Sequence, residues 1–166
     1  MQINAGLEII ISTSAKYREL NAVSYNADEN TIMLEFALLG AADLEPVLKY
    51  IANGLDTYQH LFSQASRLTR ITLTESLGIS LLRVTRDVDT VSEEEIDLLV
   101  DLIRTHLADR IIVNDDQEIG QERLKKRLTN KLLKRVNNSD IGAMNFSIFR
   151  EEGKIFILNN IREVSN

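Results

Sequence analysis

RLTRITLTESLGISLLRVTR, residues 67–86, holds two runs rich in β-branched and hydroxyl side chains around Ser76-Leu77-Gly78. Branching at Cβ restricts χ1 and suits a pleated backbone. Glycine in a short gap lets the chain reverse. Arg67–Thr74 and Ile79–Arg86 therefore read as a hairpin. The excess of threonine suits a solvated sheet surface.

The same pattern recurs on both sides. Towards the C-terminus, Met144, Phe146 and Ile148 alternate with Asn145, Ser147 and Phe149, Glu151-Glu152-Gly153 turns the chain, and Lys154–Asn160 returns. Towards the N-terminus, residues 18–25 and Thr31–Leu39 flank the turn Asn26–Asn30. Ile32, Leu34, Phe36 and Leu38 share one face of that strand, and Met33, Glu35 and Ala37 share the other. Residues 7–14 add a further expected strand, with Leu7, Ile9, Ile11 and Thr13 alternating.

Helices fill the gaps. Leu44, Val47, Leu48, Ile51, Leu55, Tyr58 and Phe62 follow a helical period, with Asp43 placed to cap and Pro46 in the first turn. Gly54 inside that helix points to close packing of another element. Ser92-Glu93-Glu94-Glu95 forms a capping box ahead of Ile96, Leu99, Val100, Ile103 and Leu107. Arg110–Val113 reads as a short strand or the tail of that helix. A third helix spans Glu122–Val136, with Leu124, Leu128, Leu132 and Val136 every four residues.

These elements make an α+β fold: a mainly antiparallel sheet of hairpins, seven strands in all, with three helices in a two-layer arrangement. The expected organisation is a single domain over 1–166, with a possible helix–hairpin subdomain at 117–160.

Composition narrows the function classes. The 166 residues include 44% apolar and 27% charged side chains, no Cys, no Trp and two His. Thiolate chemistry and disulfides are excluded, and a His-rich metal site cannot be built. No basic leader precedes the first apolar run, and no apolar stretch approaches the length of a membrane span. A cytoplasmic protein is the expectation. Dinucleotide, P-loop and nucleophile-elbow patterns are all missing, so no cofactor is expected.

Charge is distributed unevenly. Residues 117–136 carry seven Lys/Arg against Glu118 and Glu122, a net of +5, while the whole chain is −6, leaving −11 elsewhere. Residues 75–122 hold 13 acids and four Lys/Arg, a net of −9. Arg123, Lys126, Arg127, Lys131, Lys134 and Arg135 are the candidate partner-binding residues. The partners expected are an acidic protein surface or a second copy of the chain. Nucleic acid is the alternative, weakened by the lack of base-reading or stacking groups on the helix. The lack of Trp or Phe on the helix argues against interfacial membrane binding.

The main reading is a non-enzymatic interaction or regulatory module. An enzyme would have to use His60, His106 or carboxylates: Asp87 and Asp89 near Glu93–Glu95, or Asn114, Asp115, Asp116 and Glu118, which could also hold a hard cation. Each group has a simpler role as a helix end, turn or solvated surface.

Overall fold

Leu77 and Gly78 both adopt positive φ, at 53° and 79°. That is the conformation a two-residue hairpin turn requires to match strand twist. Leu77 is fully exposed there, a position where Gly or Asn would carry less strain. The computed structural model describes residues 5–40, 44–62, 68–113, 121–136, 144–151 and 154–161. Its elements are α1 (Ala5–Lys16), β1 (Ala22–Asn26), β2 (Thr31–Leu39), α2 (Glu45–Leu61), β3 (Thr69–Ser76), β4 (Ile79–Asp87), α3 (Glu93–Leu107), α4 (Gln121–Val136), β5 (Met144–Glu151) and β6 (Lys154–Ile161).

The fold is α+β, with a six-stranded sheet in the order β3-β4-β2-β1-β5-β6. Every neighbouring pair is antiparallel. All three expected hairpins form. Cross-strand partners in an antiparallel pair share a face. Val23, Tyr25, Ile32, Leu34, Phe36, Leu38, Leu82, Val84, Phe146 and Ile148 lie on one face by register, and all are buried. They form one cluster with Leu7, Ile10 and Ile11 of α1, Ile51 and Leu55 of α2, Ile96, Leu99 and Ile103 of α3, and Leu124 and Leu128 of α4.

The expected counts of seven strands and three helices need correction. There are four helices among the described residues, because residues 7–14 form α1 rather than a strand. Its buried positions, Leu7, Ile10, Ile11, Ser14 and Ala15, follow a spacing of three and four. A run of three isoleucines fits either period, and packing against β1 and α4 selects the helix. The short segment after α3 makes one antiparallel bridge, Leu38 to Ile111. Leu39 N–H donates to Arg110 O at 2.8 Å and Ile112 N–H to Ala37 O at 2.8 Å. This occupies the part of β2 that β1 is too short to cover.

Local signals hold with some changes. Asn26 Oδ1 accepts from the amides of Asp28 and Glu29 at 2.9 and 3.2 Å, closing the first turn. Ser92 Oγ accepts from the Glu95 amide at 3.1 Å and caps α3. The reciprocal half of the box is absent, because the Glu95 carboxylate turns inward to Arg86. Asp43 lies outside the described residues, and the α2 N-cap, Leu44, offers no side-chain bond. Gly54 does admit a close neighbour: a Cβ there would stand 2.7 Å from Leu102 Cδ1 of α3.

The buried charge at Arg86 ties β4 to α3. Its side chain is 2% exposed. Arg86 Nε and Nη2 donate to Glu95 at 2.6 and 3.0 Å, and Nη1 donates to Asp87 Oδ1 at 2.6 Å, Leu68 O at 3.0 Å and Thr90 Oγ1 at 3.1 Å. Gln59 of α2 donates to Glu95 Oε1 at 3.2 Å. A buried guanidinium is tolerated only when its donors are satisfied. Burial pushes the Asp87 carboxyl up, but the Thr90 hydroxyl, the Leu68 amide and Arg86 together hold it below its ordinary value.

Replacing Arg86 by Met strands Glu95 and Asp87 and is expected to cost about 3–5 kcal/mol in urea unfolding. Arg86→Met with Glu95→Leu should recover a large part of that loss. Asp87 also imposes a pH dependence. Its folded pKa is depressed, so its contribution is complete above the ordinary carboxylate range and is lost as pH falls through the lower folded value. Asp87→Asn should flatten the decline of stability between roughly pH 5 and pH 2, and an unchanged slope would contradict this.

Candidate interaction face on helix α4

α4 is held by its apolar stripe. Leu124 and Leu128 are buried, and the helix packs along α1. With the stripe turned inward, helical spacing sends Arg123, Lys126, Arg127, Lys131 and Lys134 to solvent, and all five are exposed. Arg123, Arg127 and Lys134 run along one side at intervals of four and seven residues, with Lys126 and Lys131 flanking them. The side chains of Arg135, Leu132 and Leu133 lie outside the described set. Among the described residues none of the five exposed cations takes part in an ion pair or side-chain hydrogen bond.

The acidic segments behave differently. Lys16 of α1 bonds Asp97 of α3 at 2.7 Å. Arg104 of α3 bonds Glu19 at 2.6 Å and approaches Asp101 at 3.5 Å. Burial raises the Glu19 carboxyl, but the hydrogen bond and charge of Arg104, with its own backbone amide and Arg150, bring it below its ordinary value. Arg83 bonds Glu35 at 2.7 Å, and Arg86 takes Asp87 and Glu95. Within residues 75–122, Asp87, Glu95, Asp97 and Asp101 are paired in this way, while Arg83 and Arg104 of the same stretch are drawn to Glu35 and Glu19 outside it. Glu93 and Glu94 remain exposed at the start of α3, where the helix amides favour them.

The candidate acid–base groups do not converge. His106 is exposed and its ring lies 4.0 Å from that of Tyr50, with no hydrogen-bond partner among the described residues. His60 Nδ1 lies 2.8 Å from the Asp56 carbonyl and 3.5 Å from its carboxylate, both side chains being well exposed. Asp87 and Glu95 are committed to Arg86. Asn114, Asp115, Asp116 and Glu118 lie outside the described residues. No cluster of three or more His or acidic side chains suited to a metal ion occurs among the described residues. No helix among them is long and apolar enough to cross a membrane.

Sequence reasoning missed the buried arginines. Arg86 ends the inward series Leu82, Val84, Arg86, and Arg150 ends Phe146, Ile148, Arg150. Period-two alternation places both on the core face, a signal present in the sequence. Arg150 is buried and donates to the Ser14 carbonyl of α1. No protein-family model, curated protein or solved structure matches this chain.

Because the α4 cations have no partners within the described chain, they contribute little to its stability. The triple variant R123E/R127E/K134E should unfold in urea within about 0.5 kcal/mol per site of the parent. A much larger loss would mean that these side chains hold the fold rather than face a partner.

Proposed function

We propose that this protein is a non-enzymatic interaction module of the cytoplasm that self-associates and offers the basic side of α4 to an acidic protein surface. In this reading the chain is one domain, with the helices as one layer on the sheet and α4 at its margin. The observation that carries it is the set of five exposed cations without partners among the described residues, in a chain whose remaining sequence sums to −11. An unpaired cationic stripe attracts a complementary surface and accelerates encounter. Lys and Arg stems add apolar contact area without a prior pairing to break.

Nucleic acid is the competing partner class. Phosphates would satisfy the same cations, with strong salt dependence. α4 has no aromatic side chain on which a base could stack.

Fluorescence anisotropy with a labelled poly-glutamate peptide and a labelled random-sequence DNA duplex, across a salt series, separates the two. The acidic peptide should bind, weaken with salt, and lose about tenfold or more in affinity with R123E/R127E/K134E, as expected for several exposed contacts removed together. Tighter binding of the duplex than of the peptide at equal salt would overturn the protein-partner reading. Binding of either probe unchanged by the triple variant would remove α4 from the interaction.

A further inference from the structure

We infer that the margin formed by β3 and α2 joins a second copy of this chain across a two-fold axis, β3 pairing antiparallel with β3 and α2 packing on α2. The inference rests on the self-associating part of the proposed function and makes no use of α4.

Among the described residues β3 is the last strand of the sheet on its side, so no described strand pairs with its outer row of backbone N–H and C=O groups. It is eight residues long, with no proline, and its central Ile71-Thr72-Leu73-Thr74 carries no charge. Natural edges are usually blunted by charge, proline or a bulge. Thr72 is exposed on the open sheet face, while Ile71 and Leu73 are half-buried at the margin of the core. A two-fold axis through Thr72 sets Ile71 opposite the partner's Leu73 on the core face and Thr72 opposite the partner's Thr72. Arg70 then meets the partner's Thr74. No like charges face each other in this register, and the half-buried apolar pair becomes fully covered.

α2 flanks the same margin. Its Gln59 reaches Thr69 at the start of β3 (3.4 Å), and Gly40, shortly before its N-terminus, bonds Gly78 in the β3–β4 turn (2.8 Å). The helix therefore runs antiparallel to β3. Seventeen helical residues span about 25 Å and eight strand residues about 26 Å, so matched ends would set the middle of α2 level with the middle of β3. One flank of α2 faces α3, through Gly54 against Leu102, Tyr50 against His106, and the Tyr58 hydroxyl 3.1 Å from Ser92 Oγ. At about 100° per residue the opposite flank carries Glu45, Lys49, Ala52 and Asp56.

That flank is self-complementary. An antiparallel copy centred near Ala52 and Asn53 sets Lys49 against the partner's Asp56, twice by symmetry, with small side chains between. The same axis thus suits strand and helix. Among the described strands the other outer one is β6. β6 exposes Phe156 and Leu158 and among the described residues has no counterpart to the α2 flank described for β3, and α4, which packs on α1, takes no part in the β3 margin.

Sedimentation equilibrium of the full chain tests this. The wild type should be a closed dimer. Thr72→Lys puts two cations on the axis and should raise the dimer Kd by about tenfold or more. Lys49→Asp should weaken the dimer, and K49D/D56K should restore it. The triple α4 variant should leave the mass unchanged. If T72K loses its fold by circular dichroism, the K49D and K49D/D56K pair decides. A monomer at all concentrations, a dimer indifferent to T72K and K49D, or failure of the charge swap to restore it would overturn the proposal. Dissociation by the α4 variant with T72K still dimeric would also overturn it, while leaving the reading of α4 intact.

Discussion

A guanidinium cannot sit 2% exposed in an apolar layer unless nearly every donor finds an acceptor. At Arg86 that requirement fixes the placement of three other elements. Glu95 has to enter from the first turn of α3, so α3 crosses the sheet at the end of β4. Leu68 has to present its carbonyl, which sets where β3 begins. Gln59 has to reach Glu95, which fixes the last turns of α2. An apolar contact of the same area would tolerate sliding by an ångström; a bidentate ion pair does not. The stability it adds over an apolar replacement is modest. Its contribution is to specify one arrangement among the many that would bury the same leucines.

Arg86 also shows where part of that acidity goes. The acid-rich segment after β4 looks like a surface in search of a cation, but Asp87 and Glu95 point inward to Arg86, and Lys16 of α1 answers Asp97 of α3. Intramolecular pairing is favoured because both partners are already ordered and no association entropy is lost. α4 packs on α1, and among the described residues its five exposed cations meet none of those carboxylates. That outcome does not follow from the net charge of either segment.

Most of the sheet was legible from alternation and turn chemistry. Thr31–Leu39 coincides with β2, and the inward faces of β2, β4 and β5 follow the period-two pattern. The failure at residues 7–14 has a physical origin: Ile9-Ile10-Ile11 supplies apolar groups at every position, so neither period is distinguishable, and tertiary packing decides. The exposure of the α4 cations followed from the leucine spacing. Their lack of partners among the described residues did not, because it depends on which helix lies next to which. Burial of Arg86 and Arg150 was readable from alternation, but arginine's usual place at the surface masked it.

The two candidate surfaces are carried by different elements, β3 with α2 for one and α4 for the other, and this separation has a consequence for binding. A dimer closed at β3, as inferred above, would carry two α4 helices related by the same two-fold axis. A partner with two acidic segments, or an array of them, then meets two cationic stripes held at a fixed spacing by a continuous sheet. The second contact becomes intramolecular, so weak exposed charge pairs can add up to firm attachment without any deep pocket. That arrangement suits a chain with few aromatic anchors. Where single contacts are limited to a few tenths of a kcal/mol by solvent screening, a rigid repeat of the binding face is the available route to affinity.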